Sequence, residues 1–128
     1  MRVQWSANES AEVPSPDALE RLIDVLHDES SAGRPRLVEV VHRSGDILTI
    51  GVGRNKALLS FVPASKNPPY YVSVGCRERG AEMVTYDFYG ESTEFPSRFL
   101  IPMQDARRAL KLFAETGALS KEINWEET

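Results

Sequence analysis

The sequence contains very little cysteine and histidine. Cys76 is the only cysteine in 128 residues, and His27 and His42 are the only histidines. A single cysteine cannot form an internal disulfide bond, and one cysteine with two histidines cannot complete a four-ligand zinc site unless several carboxylates converge on it. We therefore assign the chain no metal site and no cofactor.

Long apolar runs are also missing. The longest uncharged stretches, residues 57–65 and 67–76, are bounded by Lys56, Lys66 and Arg77, and neither approaches the ~18 residues of a membrane-spanning helix. The first residues turn polar at Asn8 and Glu9, without the apolar segment and cleavage site of a signal peptide. We expect a cytoplasmic protein that does not cross a membrane.

Basic residues are not in excess. Fifteen Lys and Arg stand against nineteen Asp and Glu, which gives a net charge of -4, whereas binding to nucleic-acid phosphates requires a basic surface. Direct binding to nucleic acid is therefore not expected. The 41% hydrophobic and 27% charged content is typical of a soluble globular protein, and a chain of this length predicts a single domain over residues 1–128.

The acids are concentrated late in the chain. Residues 81–128 carry five bases and nine acids, and no Lys or Arg lies between Arg79 and Arg98. We call residues 82–95 the acidic segment. It contains four acids and four aromatic residues: Glu82, Asp87, Glu91 and Glu94 with Tyr86, Phe88, Tyr89 and Phe95. This composition fits either a strand pair with a solvated acidic face or a surface that contacts a partner.

Two helices are predicted. Ser15 can cap the free N–H groups of a helix over residues 16–28, and Pro16 suits its first position. Four apolar residues then recur at helical spacing: Leu19, Leu22, Ile23 and Leu26. A second helix is predicted over residues 103–116, between Pro102 and Gly117.

The remaining patterns predict strands. They cover residues 37–42, 47–53, 57–62, 69–74, 83–89, 92–95 and 123–125. Turn residues separate them, notably at Ser44–Asp46 and Gly53–Lys56. The predicted fold class is α+β, with a single antiparallel sheet of five or six strands and two main helices packed on it.

Catalytic chemistry has weak support in the sequence. Cys76 could act as a nucleophile only with His27 or His42, and nothing nearby in the sequence orients either histidine as a base. The glycines of residues 51–53 superficially resemble a phosphate-binding loop, but a strand follows where such a loop needs a helix. We assign no catalytic residue and expect the protein not to be an enzyme.

Several segments together resemble a known family. They are Trp5, residues 47–53, residues 58–61, residues 69–75, Phe95–Pro96, Ile101–Pro102 ahead of the second helix, Glu115–Gly117, and the closing Ile123–Glu126. Their order and spacing are similar to immunity protein family 1 of bacterial polymorphic toxin systems, and the resemblance covers nearly the whole chain.

This resemblance implies a function. Members of the family are small α+β proteins, encoded beside a toxin gene, that bind and neutralise a cognate toxin domain, often a nucleic-acid deaminase. The family has no catalytic motif, and its interface residues vary with the toxin. Two alternatives stay open at this point: a small ligand-binding or structural interaction module, and a small enzyme using Cys76.

The acidic segment is the predicted interface. A toxin that acts on nucleic acid needs a basic substrate groove, which an acidic inhibitor surface complements. We predict partner contacts at Asp87, Tyr89, Glu91, Glu94, Glu82 and Glu78. Strand alternation places Asp87 and Tyr89 on the face opposite Val84, Tyr86 and Phe88. Glu91 and Glu94 are expected on the adjoining turn.

Overall fold

The computed structural model describes residues 1–75 and 82–128, so Cys76 and Glu78 lie outside the described residues. The elements in chain order are β1 (Arg2–Gln4), β2 (Ser10–Glu12), α1 (Pro16–Ala32), β3 (Arg36–Val41), β4 (Ile47–Val52), β5 (Lys56–Ala57), β6 (Leu59–Val62), β7 (Tyr71–Val74), β8 (Met83–Phe88), β9 (Glu91–Pro96), a 3-10 helix (Ser97–Phe99), β10 (Ile101–Pro102), α2 (Met103–Thr116) and β11 (Asn124–Glu127).

Most strands join one large sheet. Its main path has the order β11-β7-β6-β4-β3-β1-β2, and β8 branches from β3 and carries β9 on its other side. The pairing is antiparallel except at one parallel contact between Arg36 of β3 and Asp87 of β8. β5 and β10 form a separate two-stranded sheet. The predicted α+β class is confirmed, but the main sheet has nine strands within the described residues rather than five or six.

The extra strands are mostly short and polar, which explains why the sequence pattern did not reveal them. β1 and β2 form a hairpin of two three-residue strands, and β1 pairs with β3. Val3 of β1 is completely buried, whereas the flanking Arg2 and Gln4 are not. A single apolar residue between two polar ones is too short an alternation to predict a strand.

Helix α1 begins as predicted and ends later. The Ser15 hydroxyl oxygen accepts the Ala18 N–H at 3.1 Å, but the helix continues to Ala32 instead of ending near residue 28. Ser30 is tolerated near its end because its side chain is buried and its hydroxyl oxygen accepts from Arg36 Nε at 2.8 Å. The helix then stops at Gly33.

Helix α2 has the predicted bounds. It ends at Gly117, which has a φ of 76° and donates its N–H to the Phe113 carbonyl at 2.7 Å. Glycine adopts this left-handed conformation without the steric cost that other residues have. The apolar stripe of the helix is buried: Ala106, Ala109, Leu110 and Phe113.

The sheet carries a hydrophobic cluster on each face. Both helices cover the face that we call the helical face, where Val38, Ile50 and Leu59 lie in register across β3, β4 and β6 and are fully buried. A second cluster lies on the opposite face, which we call the hairpin face. Its buried members are Leu37, Leu58, Val72, Tyr86, Phe99 and Leu100. The β8–β9 hairpin supplies Tyr86 to it, so this face holds the acidic segment in place.

Gly51 leaves space for the Tyr86 ring against strand β4. A Cβ atom added at Gly51 would lie 2.7 Å from two ring atoms of Tyr86, a separation that real side chains do not adopt. The absence of a side chain therefore lets the Tyr86 ring contact the β4 backbone, and Tyr86 is completely buried there. This close approach explains the glycine within an otherwise apolar strand.

Gly51→Ala should lower the free energy of unfolding by about 1–3 kcal/mol, because the Tyr86 ring has to move in a filled core. Urea denaturation measures the change. The control is the same substitution in a Tyr86→Leu background, where the clashing ring atoms are gone and the penalty should shrink markedly. An equal penalty in both backgrounds would contradict this account of Gly51.

Candidate functional site

The acidic segment folds into the β8–β9 hairpin. The strands pair with Thr85 opposite Glu94, Asp87 opposite Ser92, and Phe88 opposite Glu91. Residues that face each other across an antiparallel pair lie on the same side of the sheet. The hairpin therefore has an inner face, with Val84, Tyr86, Phe88 and Phe95 directed to the second cluster, and an outer face, with Met83, Thr85, Asp87, Ser92 and Glu94.

The structure places Glu91 and Glu94 of the predicted interface on different faces of the hairpin. Glu94 lies on the outer face with Asp87, whereas Glu91 is paired with Phe88 and so belongs to the inner-face row, at the end of the hairpin. Both lie in strand β9 rather than in a turn, which corrects the expected placement. Both are nevertheless solvent-exposed, Glu94 on the outer face and Glu91 beside the turn at the tip.

Asp87 closes the tip of the hairpin. One carboxylate oxygen accepts the Gly90 N–H at 3.3 Å, and the other lies 3.8 Å from Arg34 Nη1. The Asp87 N–H donates to the Pro35 carbonyl at 2.8 Å. Its side chain is 23% exposed. Asp87 therefore has a structural role on the outer face, and its substitution would disturb the turn as well as any contact made there.

Tyr89 departs from the predicted geometry. It lies in the turn with a positive φ of 53°, and its ring stacks on that of Phe88, with centroids 4.4 Å apart and planes inclined by 15°. Its hydroxyl donates to Glu39 of β3. Tyr89 thus folds back over the sheet and ties the hairpin tip to β3, instead of standing free beside Asp87.

Desolvation and the contact with Glu39 both raise the pKa of Tyr89. Desolvation raises the pKa of the Tyr89 phenol, and the hydrogen bond to Glu39 and the carboxylate charge raise it further, while Arg2 acts in the opposite direction. The phenol is therefore held in its neutral, donating form well above its ordinary ionisation range. The contact stabilises the hairpin and supplies no acid or base for chemistry near neutral pH.

Three predicted acids remain available to a partner. Glu82, Glu91 and Glu94 are exposed, and none of them lies within salt-bridge distance of a basic group in the part of the chain that the structure describes. Met83 lies on the outer face at the base of the hairpin, next to Glu82 in the chain, and is 51% exposed. This surface therefore combines uncompensated negative charge with an accessible apolar side chain.

Arg54 packs beneath the hairpin. Its guanidinium carbon lies 5.2 Å from the centroid of the Tyr86 ring, and Nη2 donates to the Thr85 carbonyl at 2.6 Å. Within residues 1–75 and 82–128, the buried Tyr86 hydroxyl and Arg54 Nε have no hydrogen-bond partner. Burial raises the pKa of Tyr86 to about 12, although the Arg54 charge acts to lower it.

A polar groove of about 420 Å³ lies between the end of α1 and the tip of the hairpin. Its lining combines both signs of charge: Glu29, Ser30, Arg34, Arg36, Asp87 and Gly90. Arg36 is engaged there with Glu29 at 3.0 Å. The distant pairing of Arg34 with Asp87 had no signal in the sequence, because residues 53 positions apart become neighbours only through the β3–β8 contact.

Both histidines have local structural partners. His27 Nδ1 accepts the Gly53 N–H at 3.0 Å, which joins α1 to the turn after β4. His42 Nδ1 lies 3.0 Å from the Ser44 hydroxyl oxygen. The His42 ring also makes a T-shaped contact with the Phe113 ring. The hypothetical pairing of either histidine with Cys76 falls outside the described residues.

The described residues contain neither a metal-binding cluster nor a membrane-spanning helix. In the described ranges, no three His, Cys, Asp or Glu side chains are grouped so that they could hold a metal ion. The described helices include none with the length and apolar character needed to cross a membrane.

Comparison with known proteins identifies a matching family model. A protein-family model described as "Immunity protein Imm1" matches residues 7–127. No curated protein matches the chain at a significant level.

Tyr86 and Tyr89 should respond differently to loss of the hydroxyl. Tyr86→Phe should leave the free energy of unfolding unchanged or raise it by up to about 1 kcal/mol, because the removed hydroxyl has no partner. Tyr89→Phe should lower it by about 1–3 kcal/mol, because Glu39 loses its donor. Urea denaturation at pH 7 measures both, and a loss of stability in Tyr86→Phe would contradict the assignment.

Tyr86 also makes the stability of the protein depend on pH at high pH. Burial raises the pKa of Tyr86 in the folded state to about 12, from the ordinary tyrosine value of 10.0. The stability of the protein should therefore be unaffected by this group below pH 10 and fall as the pH rises from 10 to 12, because the unfolded state ionises first. Tyr86→Phe should lose less stability over this interval, as measured by denaturation across the pH range.

Proposed function

The chain belongs to the Imm1 family of immunity proteins, and on this premise we propose that it binds and neutralises a cognate toxin domain in the bacterial cytoplasm. Family membership implies a toxin protein as the partner. The proposed target is a toxin that acts on nucleic acid, of the deaminase type, from a polymorphic toxin system. The proposed mechanism is occlusion of the active site or substrate groove, without chemistry by the immunity protein itself.

The family match over nearly the whole chain carries this proposal, and the charge of the hairpin supports the choice of target. An enzyme that acts on nucleic acid must attract phosphates and therefore presents a basic groove. The exposed carboxylates of Glu82, Glu91 and Glu94 complement such a groove. Opposite charges raise the association rate and disfavour partners of the same sign.

Occlusion needs a short-range contact as well as charge. Exposed charges at the rim of an interface mainly speed association, whereas well-packed apolar side chains near its centre supply much of the affinity. Met83 lies among the carboxylates on the outer face and is half-exposed, and methionine is enriched in interfaces because it adapts to the opposing surface. We propose Met83 as the apolar contact at the base of the hairpin, next to Glu82, with Glu94 and Asp87 farther along the outer face and Glu91 at the tip.

Tyr89 and Glu78 stay in the proposed interface in different ways. Tyr89 is bonded to Glu39, so its proposed contribution is to hold the tip that presents Glu91. Glu78 lies outside the described residues, and it stays a prediction from the sequence alone.

Neutralisation can be tested directly. The toxin domain encoded beside this gene should arrest the growth of a bacterial host, and co-expression of this protein should restore growth and yield a stable complex of the two chains. Addition of this protein to the purified toxin should suppress its deamination of a nucleic-acid substrate. Continued growth arrest despite folded immunity protein, with no complex formed, would refute the proposal.

The enzyme alternative has its own control. If the protein acted through the Cys76 thiol, Cys76→Ala would lose protection while complex formation persisted. We expect Cys76→Ala to protect the host as well as the original protein does. A toxin that proved to have different chemistry would refute the deaminase part of the proposal and leave the immunity assignment intact.

Charge reversal tests the acidic surface. Glu91→Lys combined with Glu94→Lys should slow association with the toxin domain about tenfold or more at low salt, and it should weaken the dependence of the rate on ionic strength. Stopped-flow or surface-binding kinetics measure both effects. Asp87 is left unchanged because its carboxylate closes the turn.

The matched control reverses two exposed acids elsewhere, with Glu115→Lys and Glu122→Lys. It changes the net charge by the same amount, so a general charge effect would slow both variants equally. We expect the control to associate within about twofold of the original protein. Equal slowing of the two variants, or slowing of neither, would rule out the acidic surface as the docking region.

A further inference from the structure

Strand β9 has an open edge. Within residues 1–75 and 82–128, β9 pairs only with β8, along its whole length from Glu91 to Pro96. The opposite side of β9 therefore has no strand beside it in this part of the chain. An unpaired strand edge presents backbone N–H and C=O groups that can pair with another extended segment.

The hydrogen-bond pattern identifies which groups point outward. The Ser97 N–H donates to the Glu82 carbonyl at 2.9 Å, and this contact continues the register of the β8–β9 pair. Hydrogen-bonded and non-bonded pairs alternate along an antiparallel ladder. Counting back from Ser97, Phe95, Thr93 and Glu91 turn their backbone groups toward β8, so Ser92 and Glu94 turn theirs away from it.

The far edge of β8 agrees with this assignment. The same alternation predicts that Thr85 and Asp87 direct their backbone groups away from β9. The Thr85 carbonyl accepts from Arg54 and the Asp87 N–H donates to the Pro35 carbonyl. The far edge of β8 thus makes contacts within the protein at Thr85 and Asp87, whereas no backbone partner is found for Ser92 or Glu94 among the described residues.

The edge is held in position by the core. Tyr86 and Phe95 contact each other edge to face, with centroids 6.3 Å apart, and both belong to the second cluster. Tyr89 ties the tip to β3. Because β9 is already ordered in the free protein, pairing with an incoming strand costs little conformational entropy in β9 itself.

The other two ends of the sheet are less suited to the same role. β2 has three residues and β11 has four, against six in β9. A longer edge offers more backbone hydrogen bonds. β11 also carries two glutamates, but Glu126 is paired with Arg98 at 2.6 Å, whereas neither glutamate of β9 lies within salt-bridge distance of a basic group among the described residues.

We propose that the open edge of β9 receives an extended, basic strand of the toxin domain, which adds to the sheet beside Ser92 and Glu94. This inference rests on the proposed function and specifies how the partner is recognised. Backbone hydrogen bonds supply affinity in this kind of strand addition, and the flanking side chains supply specificity.

Charge selects the occupant. A second copy of this chain, paired edge to edge, would place the Glu94 side chains of both copies near each other on one face of the joined sheet, and like charges close together across a strand pair are destabilising. A strand with Lys or Arg places opposite charges there instead. The open edge therefore disfavours self-association and favours a basic partner.

Ser92→Pro tests the backbone contact. Proline removes the outward N–H and is tolerated at an edge position whose N–H faces solvent, so the fold should survive. We expect affinity for the toxin domain to fall about tenfold or more, because at least one backbone hydrogen bond and close strand approach are lost. Ser92→Ala is the matched control. It keeps the N–H, and its affinity should stay within about twofold of the original protein.

Hydrogen exchange on the original protein gives an independent measure that does not depend on the variant folding. The Ser92 and Glu94 amides should exchange rapidly in the free protein and slowly in the complex. Unprotected amides in the complex, or a folded Ser92→Pro variant that binds normally, would overturn the inference. Protection at the Trp125 and Glu127 amides of β11 instead would overturn it as well.

The outcomes separate the two proposals. If the original protein fails to bind the toxin domain, the proposed function is wrong. If it binds and protects the host while the β9 edge stays unprotected, only the strand addition is wrong. A toxin-free dimer with protected Ser92 and Glu94 amides would show that the occupant is a second copy, which would also overturn the assignment to a basic strand.

Discussion

The Tyr86 ring packs directly on the β4 backbone at Gly51, and the placement of the acidic segment depends on this contact. In the part of the chain that the structure describes, β8 shares one residue pair with β3, so backbone pairing alone would hold the hairpin weakly. The buried ring adds an apolar anchor that is worth roughly 1.5–3 kcal/mol as a large side chain removed from water. Two buried polar groups at this contact, the Tyr86 hydroxyl and Arg54 Nε, have no hydrogen-bond partner in the described residues, which is unfavourable. Arg54 offsets part of this cost by approaching the ring face and by binding the Thr85 carbonyl.

Local chemistry made much of the fold predictable from the sequence. Ser15 and Gly117 mark a helix start and a helix end through backbone groups only a few positions away, so their effect does not depend on tertiary structure. The alternation of β8 correctly separated Asp87 from Tyr86 for the same reason. The late end of α1 was missed because Ser30 acquires a buried partner, Arg36, only when β3 folds back beside the helix.

The tertiary contacts of the candidate site were not predictable in this way. Tyr89 and Glu39 are 50 residues apart, and nothing in either segment marks the other as its partner. Tyr89 also leaves the strand alternation by adopting a positive φ in the turn, which reverses the face that a simple count assigns to it. The open edge of β9 depends on where the other strands end, so it follows from the topology and not from the composition of the segment. The separation of Glu91 from Glu94 became apparent only with the register.

The two faces of the hairpin differ in how freely they can change over evolutionary time. Inner-face residues such as Tyr86 are constrained by the core, and a substitution there alters the stability of the whole protein. Thr85 and Glu94 face solvent on the other side, where surface substitutions usually change stability by less than about 0.5 kcal/mol. Outer-face residues other than Asp87, whose carboxylate holds the turn, can therefore mutate while the hairpin keeps its place. Substitutions on the outer face can therefore accumulate one at a time as a binding partner changes, and each intermediate would still fold.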